Sequence, residues 1–162
     1  MATKKKELTI GAKAPDFDLP ADPEGRVSLS ALKGQTVVLY FYPKDDTAGC
    51  TREAIDFSAA QKALSRAGAV IVGVSRDTLA KHAKFREKHN LTVSLASDED
   101  GAVIAAYGSW VEKSLYGRKY MGIDRSTFVI DPAGVIRHIW RKVRTPGHVD
   151  EVLEVVKALK AK

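Results

Sequence analysis

The sequence is poor in cysteine, since Cys50 is the only one among 162 residues. A single cysteine excludes a disulfide within the chain. Long apolar runs are also missing: the longest, such as residues 37–42 and 69–74, fall far short of the ~20 residues that cross a bilayer. No positively charged segment followed by an apolar stretch opens the chain, so no secretory signal is predicted. These absences predict a soluble protein of the reducing cytoplasm that does not enter the membrane.

Basic residues outnumber acidic ones and give a formal net charge of +6. Much of this excess lies at the two ends, in the lysines of residues 4–6 and of residues 157–162. Charges at chain ends are usually solvated, whereas specific nucleic-acid binders present a basic stripe with aromatic residues along one element. The sequence therefore predicts no specific nucleic-acid partner, and residues 1–6 are predicted to form a flexible basic tail.

The chain has the length of one domain and carries no internal repeat or linker, so residues 1–162 are predicted to form a single domain. Residues 37–42 and 69–74 are uninterrupted apolar runs, which is typical of parallel strands buried on both faces. Between them, apolar residues at Ala54, Phe57 and Leu64 follow a helical spacing that ends near Gly68. This order predicts a β-α-β unit.

The second half of the chain gives weaker patterns. Asp131-Pro-Ala-Gly134 suits a tight turn and predicts an antiparallel hairpin of residues 127–130 and 135–140. A last helix is predicted with Thr145 as its cap and Pro146 in its first position. Together the elements predict an α/β fold with a mixed sheet. The remaining predicted segments are a helix at 78–89, a strand at 94–96, a short helix at 100–106 and a loop at 107–122.

Cys50 lies in the segment Pro43-Lys-Asp-Asp-Thr47-Ala-Gly49-Cys50, a proline turn that runs into the predicted first turn of a helix. A structural thiol normally packs as a small hydrophobic residue on an apolar face. Cys50 instead has glycine, threonine and charged residues around it. The placement favours a reactive thiol over a structural one.

From about residue 8 onward, the chain resembles the atypical peroxiredoxins, specifically the peroxiredoxin Q or bacterioferritin comigratory protein subgroup. The resemblance implies a thioredoxin-like α/β fold, a mixed central sheet with helices on both faces, and a monomer. It also implies a thiol peroxidase that reduces hydrogen peroxide and small organic hydroperoxides. The segments that carry it are Ala14-Pro-Asp-Phe17, residues 40–53 (YFYPKDDTAGCTRE), 74–75, 95–98 and 122–131.

By this resemblance, Cys50 is the thiol that attacks the peroxide, and Arg125 reaches it from a distant strand. An ordinary thiol with a pKa of about 8.5 is only a few per cent ionised at pH 7, so a nearby positive charge is needed. Thr47 either turns its hydroxyl toward the sulfur or the peroxide, or caps the helix, and the two roles can coexist. Pro43 shields the site and lacks an N–H. Glu53 either orients an arginine or faces solvent.

The sequence departs from the family pattern at three positions. Ala48 replaces the proline that usually precedes the Gly-Cys pair, so a less stiff loop is expected. The two usual places for a second, resolving cysteine hold Ile55 and Arg86. Oxidised Cys50 therefore has to be reduced by an outside thiol, for which thioredoxin, glutaredoxin with glutathione, or another small thiol are candidates.

Other functions stay open at this point. A thiol-disulfide oxidoreductase on the same fold normally needs Cys-x-x-Cys, and here the third residue after Cys50 is Glu53. A non-catalytic binding or holdase protein on this fold would have an ordinary thiol. The four histidines are predicted to be structural. Because the spacing matches no usual zinc site and no glycine-rich phosphate loop follows a strand, no metal or nucleotide cofactor is predicted.

Overall fold

A seven-stranded mixed sheet forms the centre of the molecule, in the order β2-β1-β5-β4-β3-β8-β9, and a two-stranded hairpin lies apart from it. The computed structural model describes residues 8–160, and the predicted basic tail at residues 1–6 lies outside them. Within residues 8–160 the elements are β1 (Asp18–Asp22), β2 (Gly25–Ser28), β3 (Thr36–Phe41), α1 (Ala48–Arg66), β4 (Ala69–Ser75), α2 (Leu79–His89), β5 (Ser94–Ser97), α3 (Ala102–Ala106), β6 (Trp110–Leu115), β7 (Arg118–Ile123), β8 (Ser126–Ile130), β9 (Ile136–Trp140) and α4 (His148–Lys160).

Strand β3 is the central strand, and all six of its residues are buried. It pairs in parallel with β4 and antiparallel with β8. Its apolar residues point to both faces of the sheet, which is why the run in the sequence has no polar alternation. The predicted central strands, the β-α-β unit and the hairpin of β8 and β9 are confirmed.

Alternate residues of β3 pack into two separate cores. Val38 and Tyr40 face the helices α1, α2 and α4, which contribute Phe57, Phe85 and Val152 to this core. The other core, on the opposite face, includes residues of β3, α3 and the N-terminal segment: Val37, Leu39, Phe41, Ile104 and Phe17. The predicted mixed sheet with helices on both faces is confirmed, with the three longer helices on one face. None of the helices in the described part of the chain is long and apolar enough to cross a membrane.

The prediction of a loop at residues 107–122 is wrong, because this segment contains the antiparallel hairpin of β6 and β7. Both strands are largely exposed, so neither needs the apolar alternation by which a strand is recognised in a sequence. The turn between them is formed by Tyr116 and Gly117, both with positive φ. Two such residues match the twist of a hairpin.

The prediction for the start of the last helix is also wrong. Helix α4 begins at His148, two residues after Pro146. Gly147 has φ +77°, a left-handed conformation that a helix cannot include. Thr145 belongs to the turn before it, where its carbonyl accepts a hydrogen bond from the N–H of His148. Helix α4 has an apolar stripe, of which Val149, Val152 and Val156 are buried.

Gly73→Ala tests the close contact between β3 and β4. A Cβ atom at this position would lie 2.6 Å from Cζ and 2.7 Å from the hydroxyl oxygen of Tyr40. Because a buried ring cannot move freely, we expect a loss of about 1–3 kcal/mol in the free energy of unfolding, measured by urea denaturation. Gly122→Ala in the exposed hairpin is the matched control, since a Cβ atom there would lie no closer than 3.2 Å to Lys113 and Tyr120, whose side chains are not fully buried. An equal effect of both substitutions would contradict this account.

Candidate active site

Cys50 is the third residue of helix α1, as its position after the proline turn predicts. The chain leaves the carboxyl end of β3 and reaches α1 at Thr47, whose extended backbone precedes the helix. The first turn of a helix has free N–H groups and a partial positive charge, both of which favour an anion. The thiol itself is buried, with 1% of the residue exposed.

Arg125 lies beside the sulfur, although 75 residues separate it from Cys50 in the sequence. It immediately precedes β8, and Ser126, the first residue of β8, pairs with Phe41 at the end of β3. Antiparallel pairing therefore brings the start of β8 beside the end of β3, where the chain runs on into α1. Nη2 of Arg125 donates a hydrogen bond to Sγ of Cys50 at 3.2 Å.

Gly49 leaves the space that this contact requires. A Cβ atom on Gly49 would lie only 3.1 Å from Nη2 of Arg125. A larger residue at this position would push the guanidinium away from the sulfur. The sequence shows a glycine beside Cys50, but its purpose depends on a residue that is distant along the chain.

The same guanidinium also holds Glu53. Nη1 of Arg125 donates to Oε1 of Glu53 at 2.8 Å, and the carboxyl side chain is completely buried. Of the two possibilities that the sequence left open for Glu53, contact with an arginine is the one the structure has. Oε2 of Glu53 has no hydrogen-bond partner among the described residues.

Burial and charge act in opposite directions on this pair. Burial raises the pKa of Glu53 to about 7, although the positive charge of Arg125 opposes the rise. Burial also disfavours the charge on Arg125, but Glu53 and Cys50 outweigh it and raise the pKa of Arg125 above its ordinary value. The guanidinium therefore stays positive, while Glu53 exchanges a proton near neutral pH.

Thr47 and Pro43 lie on the exposed connection between β3 and α1. The hydroxyl of Thr47 donates to the carbonyl oxygen of Lys44 at 2.9 Å. The Thr47 hydroxyl is therefore hydrogen-bonded to Lys44 and not to Cys50. It also makes no hydrogen bond that caps α1. Thr47 does occupy the N-cap position, so the helix-cap alternative holds for its backbone and not for its side chain.

A buried polar network behind this connection was not visible in the sequence. Asp45 is buried and accepts a hydrogen bond from the hydroxyl of Tyr42 at 2.6 Å. Its other carboxylate oxygen lies 2.6 Å from Nδ1 of His82 on α2. The sequence gives no direct signal for this pairing, because Asp45 stands in a charged turn and His82 in a polar-looking helix.

His148 on α4 is another buried histidine. Its Nε2 lies 2.8 Å from the hydroxyl of Thr127. Burial, with a smaller effect from the charge of Arg125, lowers the pKa of His148 to about 4, so it is neutral at pH 7. Within residues 8–160, no group of three or more His, Cys, Asp or Glu side chains is arranged to hold a metal ion.

Glu53→Gln tests the pKa of Glu53 through stability. As pH rises from the ordinary pKa of 4.5 to about 7, the unfolded chain ionises before the folded one, so Glu53 lowers the free energy of unfolding. Glutamine removes this effect. We expect the free energy of unfolding of E53Q, relative to the unsubstituted chain, to rise by about 2–3 kcal/mol between pH 5 and pH 8, measured by urea denaturation. Glu154→Gln on the exposed face of α4 is the control, and a pH-independent difference for E53Q would contradict the prediction.

Comparison with known proteins finds related sequences along most of the chain. The sequence model of the AhpC/TSA family matches residues 10–139. Peroxiredoxin Bcp of Bacillus subtilis is 46% identical over 155 residues, which cover 96% of this chain and 99% of that protein. Peroxiredoxin Bcp of Escherichia coli is 41% identical over 150 residues, which cover 93% of this chain and 96% of that protein.

Solved structures give the same result. The bacterioferritin comigratory protein of Xanthomonas campestris superposes with a TM-score of 0.85 at 41% sequence identity. The superposition covers 89% of this chain and 92% of the Xanthomonas chain. Family match, sequence identity and fold agree over nearly the whole chain. This chain therefore belongs to the AhpC/TSA family and is a thiol-dependent peroxidase of the Bcp, or peroxiredoxin Q, group.

Proposed function

We propose that the thiolate of Cys50 attacks one oxygen of a hydroperoxide. The new S–O bond forms as the O–O bond breaks, and the departing hydroxide or alkoxide takes a proton to leave as water or alcohol. Sulfur is oxidised to the sulfenic acid while the peroxide is reduced. The reaction needs an ionised sulfur and donors for the charge that develops on oxygen.

The contact between Arg125 and Cys50 carries this proposal. A helix N-terminus contributes only ~0.3–1 kcal/mol to stabilising an anion, and about 2 kcal/mol when partly buried. A guanidinium at 3.2 Å from Sγ adds a full positive charge beside a buried sulfur, where screening by water is weaker than at the surface. Arginine also carries several donors, so it can hold the sulfur and still offer N–H groups to a peroxide oxygen.

Thr47 and Pro43 are proposed to shape the place where the peroxide binds. The hydroxyl of Thr47 is three residues from Cys50 and can leave the Lys44 carbonyl for a peroxide oxygen. Pro43 has no N–H, so it presents only an apolar ring beside the site. The related Xanthomonas protein has been studied for alkyl peroxide reduction, which supports small organic hydroperoxides beside hydrogen peroxide as substrates.

Recycling is proposed to use a thiol from outside the chain. Ile55 and Arg86 stand where relatives of this type place a second cysteine, and neither can form a disulfide. An external thiol would displace water from the sulfenic acid to give a mixed disulfide, and a second thiol would release Cys50. Thioredoxin, glutaredoxin with glutathione, and other small thiols fit this role. We further propose that the chain acts as a single-domain monomer in the cytoplasm, where such thiols are kept reduced.

Cys50→Ser tests the identity of the attacking atom. A serine hydroxyl is not ionised at neutral pH, so we expect peroxide consumption in the presence of dithiothreitol to fall to the background rate. Circular dichroism would show whether the variant is folded. Peroxidase activity that survives in folded C50S would rule out Cys50 as the attacking thiol.

Arg125→Ala tests the charge beside the sulfur. Loss of preorganised donors at a reacting centre typically costs 10²–10³-fold in rate. We expect a decrease of about that size in the second-order rate constant for hydrogen peroxide, measured by stopped flow on reduced protein. Arg125→Lys keeps the charge without the fork that spans Cys50 and Glu53, so an intermediate rate is expected. Arg137→Ala, on the far strand β9, is the control; if R125A matched it, Arg125 would have no part in the reaction.

A further inference from the structure

Side chains of helix α2 bind the turn that precedes Cys50. His82 of α2 is completely buried, and its ring reaches Asp45 in that turn. The following residue, Asp46, accepts hydrogen bonds from Lys88 and His89 of the same helix at 2.7 and 2.9 Å. Two consecutive residues of the turn are therefore tied to one helix, by a buried contact and an exposed one.

Each ring nitrogen of His82 faces an oxygen atom. Nδ1 lies 2.6 Å from the carboxylate of Asp45, and Nε2 lies 3.0 Å from the backbone carbonyl oxygen of Ala96 on β5. A carbonyl and an ionised carboxylate can only accept hydrogen bonds. The ring is sealed from water, so with Asp45 ionised both nitrogens face acceptors and are placed to donate. An imidazole that donates from both nitrogens is an imidazolium, and an ionised Asp45 would balance its charge.

Asp45 is held on its other sides as well. Its second carboxylate oxygen accepts the hydroxyl of Tyr42 at 2.6 Å, and its backbone N–H donates to Asp77 at 2.8 Å. Asp77 in turn accepts from the hydroxyl of Ser75 at the end of β4 at 2.7 Å. Asp45 is therefore fixed by groups from three directions, and His82 is the only one of these direct contacts that can carry a positive charge.

We propose that His82 is a positioning residue for the peroxidase reaction: its buried imidazolium holds Asp45, and through it the segment from Pro43 to Thr47, in the geometry that Cys50 needs. The inference rests on the proposed function of Cys50. It differs from a purely structural role because the segment that His82 holds also carries the groups proposed to meet the peroxide. The titratable groups that bear on the ring are Tyr42, Asp45 and Asp77, with Lys81 lying 4.0 Å from Asp77.

The protonation of His82 is tested first, on the natural protein. Nitrogen-15 chemical shifts of histidine distinguish a ring nitrogen that carries a proton from one that does not. We expect both nitrogens of His82 to be protonated at pH 7, with the half-buried His138 on β9 as the internal comparison. A bare nitrogen on the His82 ring at pH 7 would overturn the proposal, and this measurement needs no variant.

The effect on the reaction is tested with His82→Gln, which retains size and one donor group but no charge. We expect the second-order rate constant of reduced, folded H82Q with hydrogen peroxide to fall at least tenfold, while His138→Gln reacts like the natural protein. A role limited to stability would lower the unfolding midpoint and leave the rate of the folded protein unchanged, which would overturn the proposal. If C50S also kept its activity, the proposed function would have failed instead.

Tyr42→Phe serves if H82Q does not fold. This substitution removes only the hydroxyl that binds the second oxygen of Asp45. We expect a severalfold slower reaction with hydrogen peroxide and a His82 ring that keeps both protons. A folded Y42F with an unchanged rate would count against the positioning role.

Discussion

One guanidinium contacts two groups that are negative when ionised, and the site depends on that sharing. Arg125 reaches the sulfur of Cys50 with one nitrogen and the carboxyl of Glu53 with another. Either group alone would be costly to bury as an anion. Because the raised pKa of Glu53 lies near 7, its protonation removes a competing negative charge close to the sulfur. With Glu53 neutral, the positive charge of Arg125 is available to an ionised Cys50 alone.

The elements around strand β3 bring Cys50 and Arg125 into contact. A fully buried strand, β3, delivers the chain to the N-terminus of α1 on one side and pairs with β8 on the other. The helix supplies the orientation of Cys50, and the antiparallel pairing supplies Arg125. Gly49 completes the arrangement by leaving room for the guanidinium. Each of these features is common in proteins, and together they place a positive charge beside a buried sulfur.

Much of this could be predicted from the sequence, where a single element carried the signal. The buried strands at 37–42 and 69–74 and the position of Cys50 in a first helical turn follow from local patterns. Arg125 could be placed only through family resemblance, since strand pairing between distant segments has no local signal. The hairpin of β6 and β7 was missed because neither strand buries an apolar face, and the pairing of Asp45 with His82 because polar residues in a turn and a helix normally face water.

On the proposed mechanism, two reactions compete for Cys50 once it is oxidised. The sulfur is 1% exposed, so a bulky protein thiol has less access to it than a small peroxide has. Because the sequence holds no second cysteine, the sulfenic acid would persist until an external thiol reaches it, and its lifetime would shorten as the concentration of the reductant rises. A second peroxide that arrives first drives the sulfur to the irreversible sulfinic acid. The proposed recycling would therefore sustain peroxide removal when thiols are plentiful and leave Cys50 as the sulfinic acid when they are scarce.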